Sequence, residues 1–219
     1  MLASRSPRRV QAEPDRYFAD SPRLWQAVTA SAAAVREMGR AVLIGTDSIA
    51  QSEALSSVLA ARGLPHHVLN ARQDQHESEL IAAAGQPGRI TVATSMAGRG
   101  ADIPLAPQVE QRGGLYVILC QHNASRRIDR QFLGRAGRQG QPGSTRIMLA
   151  VDFPLLRRWL PASWLRLVAS VGCPRLLSGG TVGLARSLET FTQRKQRVTL
   201  QRVSETEERE LTFGRRGVP

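Results

Sequence analysis

The segment 126-RRIDRQFLGRAGRQGQPG-143 concentrates five arginines, three glutamines and four glycines in one short stretch. A guanidinium group stays charged at any physiological pH, and its planar fork of donors matches the oxygens of phosphate. At about 100° per residue, Arg127, Gln131, Arg135 and Arg138 share one sector of a helical wheel beside an apolar sector. The pattern predicts a helix that packs on one side and presents three guanidinium groups and an amide to a polyphosphate. A solvated basic face is the alternative.

A second segment, 94-TSMAGRGAD-102, directly follows an apolar run and has a similar chemical character. Gly98 and Gly100 allow the backbone to approach a ligand or to adopt positive φ angles. Arg99 and Asp102 would project from the same turn. This composition favours a loop that contacts a ligand over a turn that serves only the fold.

The sequence lacks the phosphate-binding loop that usually accompanies such arginines. Lys195 is the only lysine, and it lies between Arg194 and Gln196, so no G-x-x-x-x-G-K-[ST] motif exists. No acidic pair follows an apolar strand to hold Mg²⁺. Cys120 and Cys173 lie too far apart in sequence to form a metal-ligand pair, and no metal site is predicted. The arginines therefore resemble half of a nucleotide site.

Composition limits the size of the fold and the kinds of partner. The 219 residues, of which 42% are apolar, can form the core of one ordinary domain with a smaller appendage. A formal charge of +12 favours phosphates, nucleic acid or an anionic membrane surface as partners. The sequence shows no apolar signal region and no run of about 18 apolar residues. We expect a protein that is soluble or peripheral to a membrane.

Short apolar runs that end in polar or turn residues recur along the chain. Such runs are typical of parallel strands buried on both faces, and they occupy residues 41–45, 66–70, 89–94, 115–120 and 145–151. Together with the intervening helical pattern, they predict an α/β fold with a doubly wound parallel sheet. In such sheets ligands bind outside the carboxyl ends of the strands, so the site is expected there.

Two helices are predicted in the first third of the chain. Residues 23–38 place Leu24, Val28 and Val35 at helical spacing. Residues 47–63 form the second helix, with Asp47 or Ser48 as the N-cap and Gly63 at the end. The predicted buried face of this second helix contains Ala54, Leu55, Val58 and Ala61.

The sequence divides into three parts. Residues 1–22 are predicted to form an irregular N-terminal segment, and residues 23–153 the α/β domain. Residues 154–219 are predicted to form a helical extension. Within it, residues 155–172 mix leucine and tryptophan with arginine, which indicates a packed helical pair, with a membrane-surface helix as the alternative.

The motifs 97-AGRGAD-102 and 134-GRAGRQG-140, joined in one chain, resemble the second nucleotide-binding domain of SecA, the ATP-driven preprotein translocase motor of bacteria. The resemblance runs continuously from about Pro7 to Asp152. Residues 184–198 are similar to the start of the helical scaffold of that family. The resemblance implies a RecA-like helicase C-terminal domain followed by a helical extension.

The resemblance also implies roles for individual residues. Arg135 and Arg138 would be arginine fingers that reach a γ-phosphate held by a partner domain. Gln131 would lie beside them at the domain interface, and Gln141 occupies a position where the family has a nucleotide-contacting aspartate. A coupling loop that senses nucleotide would contain Gly98, Arg99, Gly100 and Asp102.

Several departures from the family pattern cluster at the predicted site. Besides Gln141, Leu133 replaces an arginine and Ala101 replaces a threonine, and residues 121–124 (QHNA) replace a charged segment. The first nucleotide-binding domain, with its phosphate loop and acidic magnesium motif, is missing, as are the preprotein cross-linking domain and most of the scaffold. These differences weaken the case for an efficient motor.

The leading hypothesis is a partial SecA-like motor subunit for ATP-dependent protein translocation, inactive as an ATPase on its own. It would use ATP with Mg²⁺ at a site completed by a first nucleotide-binding domain that is supplied in trans or lost. The implied partners are a SecYEG-type translocon, preproteins and an anionic membrane surface. The implied location is the cytoplasm, at the periphery of the inner membrane.

Two alternatives remain open. One is an inactive interaction or regulatory module of the same family, which Gln141 and residues 121–124 favour. The other is half of a nucleic-acid helicase. Nucleic acid is the less favoured partner because only 5% of the residues are aromatic, and no aromatic and basic residues interleave into a stacking platform.

Overall fold

The computed structural model of the chain describes residues 9–69, 77–94, 102–123 and 126–150, with a few isolated positions between 152 and 188. The helices predicted within residues 155–172 and 184–198 fall largely outside these ranges. Residues Gly98 to Gly100 of the predicted coupling loop also lie outside the described residues.

The described strands form one parallel sheet of seven strands. The strands are β1 (Arg9–Ala12), β2 (Arg16–Phe18), β3 (Val42–Thr46), β4 (His67–Leu69), β5 (Ile90–Thr94), β6 (Leu115–Leu119) and β7 (Pro142–Ala150). Their order across the sheet is β1-β7-β6-β3-β5-β4, and β2 also pairs with β7.

Five α-helices and one short 3₁₀ helix connect or flank these strands within the described ranges. They are α1 (Ser21–Glu37), α2 (Ile49–Ala61), α3 (Glu77–Ala84), α4 (Pro107–Gln111), α5 (Arg126–Leu133) and the 3₁₀ helix Arg138–Gly140. Helices and strands alternate from α1 to β7, so each parallel connection contains a crossover.

The predicted α/β sheet is confirmed, and the five apolar runs coincide with β3 to β7. The three strands β3, β5 and β6 are buried along their whole length. Helices cover both faces of the sheet, so residues on both sides of these strands must be apolar or hydrogen-bonded. This is why continuous rather than alternating hydrophobicity marked them in the sequence.

Two hydrophobic clusters fill the two faces of the sheet. On the first face, Leu24 and Val28 of α1 and Leu55 of α2 pack against the strands. On the second face, Val109 of α4 and Phe132 of α5 do the same. The predicted helices 23–38 and 47–63 are thus confirmed as packed elements, and α5 belongs to the face opposite α1 and α2.

In α2, the predicted N-cap is confirmed at Ser48, whereas the predicted buried face is confirmed only in part. The Ser48 hydroxyl accepts a hydrogen bond from the Gln51 N–H, as an N-cap does. Leu55 is buried as predicted, whereas Ala54 and Ala61 are exposed and Leu59 is buried instead. Leucine removes more apolar area from water than alanine does, which favours this rotation of the helix.

The prediction of irregular structure before α1 is wrong for residues 9–18. There β1 and β2 pair in parallel with successive parts of β7 and form one interrupted edge strand. The Glu13 N–H donates to the Thr145 carbonyl oxygen at 2.8 Å, and the Glu13 carboxylate pairs with Arg146. Strand pairing uses backbone groups that every residue carries, so a mostly polar edge strand has little signature in the sequence.

The Gly45 position in β3 leads to a first prediction. A Cβ atom built on Gly45 would lie 2.4 Å from Cε1 of Phe132, inside the second hydrophobic cluster. We expect Gly45→Ala to lower the free energy of unfolding by about 1–3 kcal/mol, because the Phe132 ring must move out of a packed position. Urea unfolding followed by circular dichroism measures the change.

The control for this prediction is a second substitution at the contact itself. Phe132→Leu shortens the side chain that meets the new methyl group, so Gly45→Ala should cost less in that background than in the natural chain. Equal costs in the two backgrounds would show that the Gly45–Phe132 contact is not the cause.

Candidate functional site

The arginine-rich segment does not form the single helix that its periodicity predicts. The helix α5 ends at Leu133, and the chain then turns before the 3₁₀ helix. Gly137 has φ 69° and Gln139 has φ 54°, which are left-handed conformations that cannot continue a right-handed helix. The predicted common sector is therefore wrong for Arg135 and Arg138, and it applies only to Arg127 and Gln131.

The two predicted motifs meet at Asp102. The Arg138 guanidinium donates from Nη1 to Asp102 Oδ1 at 3.1 Å, and the Gln139 amide donates to Asp102 Oδ2 at 3.0 Å. The Arg138 side chain is 29% exposed and that of Asp102 is 49% exposed. A carboxylate 36 residues earlier in the chain thus orients the guanidinium at the surface of the domain.

Arg135 has a different environment. The residue is 7% exposed, and its guanidinium carbon lies 5.3 Å from the centroid of the Phe132 ring. A guanidinium over an aromatic face gains electrostatic attraction to the ring as well as packing. The structure therefore places one predicted finger against the core and the other at the surface.

The remaining predicted residues lie apart from the Asp102–Arg138 pair. The Gln141 side-chain amide donates to the Glu110 carboxylate of α4. Gln131 is exposed on α5 and lines a groove on that helix. Gly98, Arg99 and Gly100 lie outside the described residues.

The position of the Asp102–Arg138 pair in the fold also differs from the expected one. Only Gln141 lies between the end of the 3₁₀ helix and the start of β7, so Arg138 lies near the amino end of β7 rather than beyond the carboxyl ends of the strands. The helix α5 follows β6 and returns the chain across the sheet before β7 starts. The expectation of a site at the carboxyl ends is wrong for this pair.

A cluster of polar residues lies instead at the carboxyl ends of β3 and β6. The sequence did not predict that these residues come together. Gln121, His122 and Asn123 follow β6 and are only 5%, 8% and 6% exposed. The Gln121 amide donates to Asp47 Oδ2 at 3.1 Å and accepts from the Gln51 amide. The only signal in the sequence was the departure of residues 121–124 from the family pattern.

A buried carboxylate completes this cluster. Asp129 of α5 is 4% exposed and contacts the His122 Nδ1 atom at 2.7 Å through Oδ2. The backbone N–H and the side-chain amide of Asn123 both donate to Asp129 Oδ1 at 2.9 Å. Burial alone would raise the pKa of Asp129, but the hydrogen bonds from His122 and Asn123 outweigh it and lower that pKa.

Within the described ranges, no three side chains of the His, Cys, Asp and Glu types are placed to hold a metal ion. Over the same residues, no helix combines the length and the apolar character needed to cross a membrane. The Arg138 guanidinium beside Asp102 can bind an anion. The described part of the site contributes no set of Mg²⁺ ligands.

A comparison with protein families matches the SecA P-loop domain over residues 7–111 and 106–174. The chain is 42% identical over 194 residues to protein translocase subunit SecA 2 of Magnetococcus marinus, covering 89% of this chain and 29% of that protein. It is 46% identical over 145 residues to protein translocase subunit SecA of Oleidesulfovibrio alaskensis, covering 66% and 17%. The chain thus spans less than a third of the length of these relatives.

Solved structures with a similar fold include two DEAD-box proteins. The yeast splicing factor Prp28 gives a TM-score of 0.55 at 16% identity, covering 78% of this chain and 34% of that one. The E. coli protein SrmB, bound to regulator of ribonuclease activity A, gives 0.50 at 18% identity, covering 68% and 87%. At this level of identity the likeness shows the fold alone, which is α/β and RecA-like.

The Asp129 cluster leads to a second prediction. Since the pKa of Asp129 is lower in the folded than in the unfolded chain, its carboxylate stabilises the fold above the ordinary pKa. That stability is lost as the pH falls through the folded pKa. We expect Asp129→Asn to cost about 1–3 kcal/mol at pH 7 and less below about pH 4.

Urea unfolding of both proteins between pH 3 and pH 7 measures this difference. Glu53→Gln is the matched control, because it removes one carboxylate from the exposed surface of α2. The control should change the stability by less than about 0.5 kcal/mol at every pH. A cost for Asp129→Asn that does not depend on pH would refute the assigned role of the ionised carboxylate.

Proposed function

Since the chain belongs to the SecA family, we propose that it supplies the arginine-bearing half of an ATP site in a SecA-like protein translocation motor. The observation that carries the proposal is the pair formed by Arg138 and Asp102 at the surface of the domain. The absence of a phosphate loop from the sequence fits the same division of the site between two domains.

The proposed chemistry is electrostatic stabilisation of a transferring phosphoryl group. Charge spreads over the γ-phosphate oxygens during ATP hydrolysis, and a guanidinium that is already oriented stabilises it without reorganisation. Asp102 holds Arg138 in one direction at 3.1 Å, and Gln139 holds Asp102 in turn at 3.0 Å. A phosphate with more negative charge than one carboxylate would compete for the same guanidinium.

Arg135 is the second proposed arginine finger. It needs a larger conformational change than Arg138 does before it can reach a phosphate. Its guanidinium lies against Phe132 and is 7% exposed, so the turn of residues 134–137 must move before it reaches a phosphate. We propose that closure against the partner domain supplies this movement. Gln131 would then lie at the interface, and the loop of Gly98, Arg99 and Gly100 would couple closure to nucleotide binding.

The remaining parts of the proposed motor come from elsewhere. The phosphate loop and the Mg²⁺ ligands would belong to a first nucleotide-binding domain outside the 219 residues. The wider assembly would include a SecYEG-type translocon and a preprotein. With its charge of +12, the chain would work in the cytoplasm at an anionic membrane surface.

One observation favours a second candidate function, an inactive interaction or regulatory module. Gln141, which stands where the family has a nucleotide-contacting aspartate, donates its amide to Glu110 of α4. A neutral side chain engaged within its own domain is a poor substitute for a carboxylate that contacts nucleotide. A module of this kind would bind the partner domain without supporting turnover.

The third prediction tests the motor. The chain is mixed with a separately made SecA first-half fragment, and ATP hydrolysis is measured with and without Mg²⁺. We expect no turnover by the chain alone, turnover by the mixture, and a loss of about 10³-fold or more for Arg138→Ala, because the variant lacks the finger.

Matched variants separate charge from geometry. Arg138→Lys keeps the positive charge but loses the planar fork, so it should recover only a small part of the rate. Arg62→Ala removes an exposed arginine after α2 and should leave the rate unchanged. Association without turnover would favour the inactive module, and turnover by the chain alone would contradict the division of the site.

A further inference from the structure

A groove runs along α5, between that helix and the edge of the sheet formed by β1 and β7. It has a volume of about 520 Å³, which is within the range of pockets that hold ligands of moderate size. Its rim contains Arg127, Arg130 and Gln131, and its floor includes Val10, Leu133 and Ala136.

The rim is cationic. Arg127 and Arg130 are exposed side chains of α5, and no aspartate or glutamate is among the described residues that line the groove. Asp129 belongs to the same helix but faces the polar cluster after β6. The positive charge of the groove therefore favours an anionic ligand, in keeping with the formal net charge of +12 of the whole chain.

The floor is aliphatic. Val10 and Leu133 are partly buried and pack against the second hydrophobic cluster, and Ala136 is 4% exposed. No aromatic side chain is among the described lining residues, so the groove offers nucleobases no stacking surface. The volume also exceeds that of a single phosphate group. These features favour a ligand that carries both carboxylates and an aliphatic side chain.

The spacing along α5 indicates the form of such a ligand. At 1.5 Å per residue, Arg127 lies about 4.5 Å from Arg130 and about 9 Å from Leu133 along the helix axis. An extended peptide advances about 3.3 Å per residue and its side chains alternate between two faces, so neighbouring side chains on one face are about 6.6 Å apart. Two carboxylates two positions apart therefore face Arg127 and Arg130, and a leucine-sized side chain two positions further on, on the same face, lies toward Leu133.

We propose that this groove is a docking site for a short acidic segment of another polypeptide in an extended conformation. Its carboxylates pair with Arg127 and Arg130, and its aliphatic side chain covers Val10, Leu133 and Ala136. The helix that forms the rim is held by the Asp129 hydrogen bonds and by Phe132, so the site is formed before the ligand arrives.

The docking site is independent of the proposed ATP site. Asp102, Arg135 and Arg138 are not among the described residues that line the groove, whereas Arg127 and Gln131 of the predicted phosphate-facing sector are. Peptide docking can therefore fail while ATP hydrolysis with a partner succeeds, and the reverse also holds.

A binding measurement on the whole chain tests this fourth prediction. The probe is a short fluorescent peptide with two glutamates two positions apart and a leucine two positions after the second glutamate, and its binding is followed by anisotropy. We expect saturable binding that Arg127→Gln combined with Arg130→Gln weakens about tenfold or more, because both ion pairs are lost. Replacing the leucine of the probe by serine should also weaken binding.

The matched control combines Arg23→Gln with Arg62→Gln. Both residues are exposed, Arg23 in α1 and Arg62 directly after α2, and these helices cover the opposite face of the sheet. The change in net charge is the same. Unchanged binding in the control supports the groove.

Three results would overturn the proposal. The first is an absence of saturable binding, and the second is equal weakening by both pairs of substitutions. The third is tighter binding of a single-stranded RNA of equal charge that depends on Arg127 and Arg130, which would make the groove a nucleic-acid surface.

Discussion

The attachment of α5 to the sheet is the constraint on which the described functional features depend. Asp129 accepts hydrogen bonds from both donors of Asn123 and pairs with His122, all in a buried environment. Three residues later, Phe132 occupies the space above Gly45. A polar contact and an apolar contact thus fix the helix at two points, and the groove, the turn after it and the 3₁₀ helix follow from its position.

The attachment also involves His122 and Asn123, in the segment where the resemblance to the family leads one to expect charged side chains. A carboxylate buried without donors would be costly, and His122 and Asn123 supply those donors over distances of 2.7–2.9 Å. The substituted segment therefore has a structural role in this chain.

The two arginines of the GRAGRQG motif have acquired unequal positions. The left-handed residue Gly137 separates them, and Arg135 packs on Phe132 while Arg138 reaches Asp102. This asymmetry leaves Arg138 partly exposed at the surface of the domain and Arg135 buried. The turn of residues 134–137 also brings the arginine-rich segment to the amino end of β7.

The sequence by itself determined the central sheet, because strands buried on both faces must be continuously apolar. It also indicated α1 and the cap of α2 at Asp47 or Ser48, because these depend on local spacing. The edge strands β1 and β2 were not predictable, since their pairing with β7 relies on backbone groups and on a distant partner. Tertiary structure alone brought Asp129 to His122 and Val10 to the floor of the groove beside α5, because neither placement leaves a periodic pattern in the sequence. The helix α5 ends at Leu133, earlier than its periodicity predicts, and the positions of Arg135 and Arg138 are set by their contacts with Phe132 and Asp102.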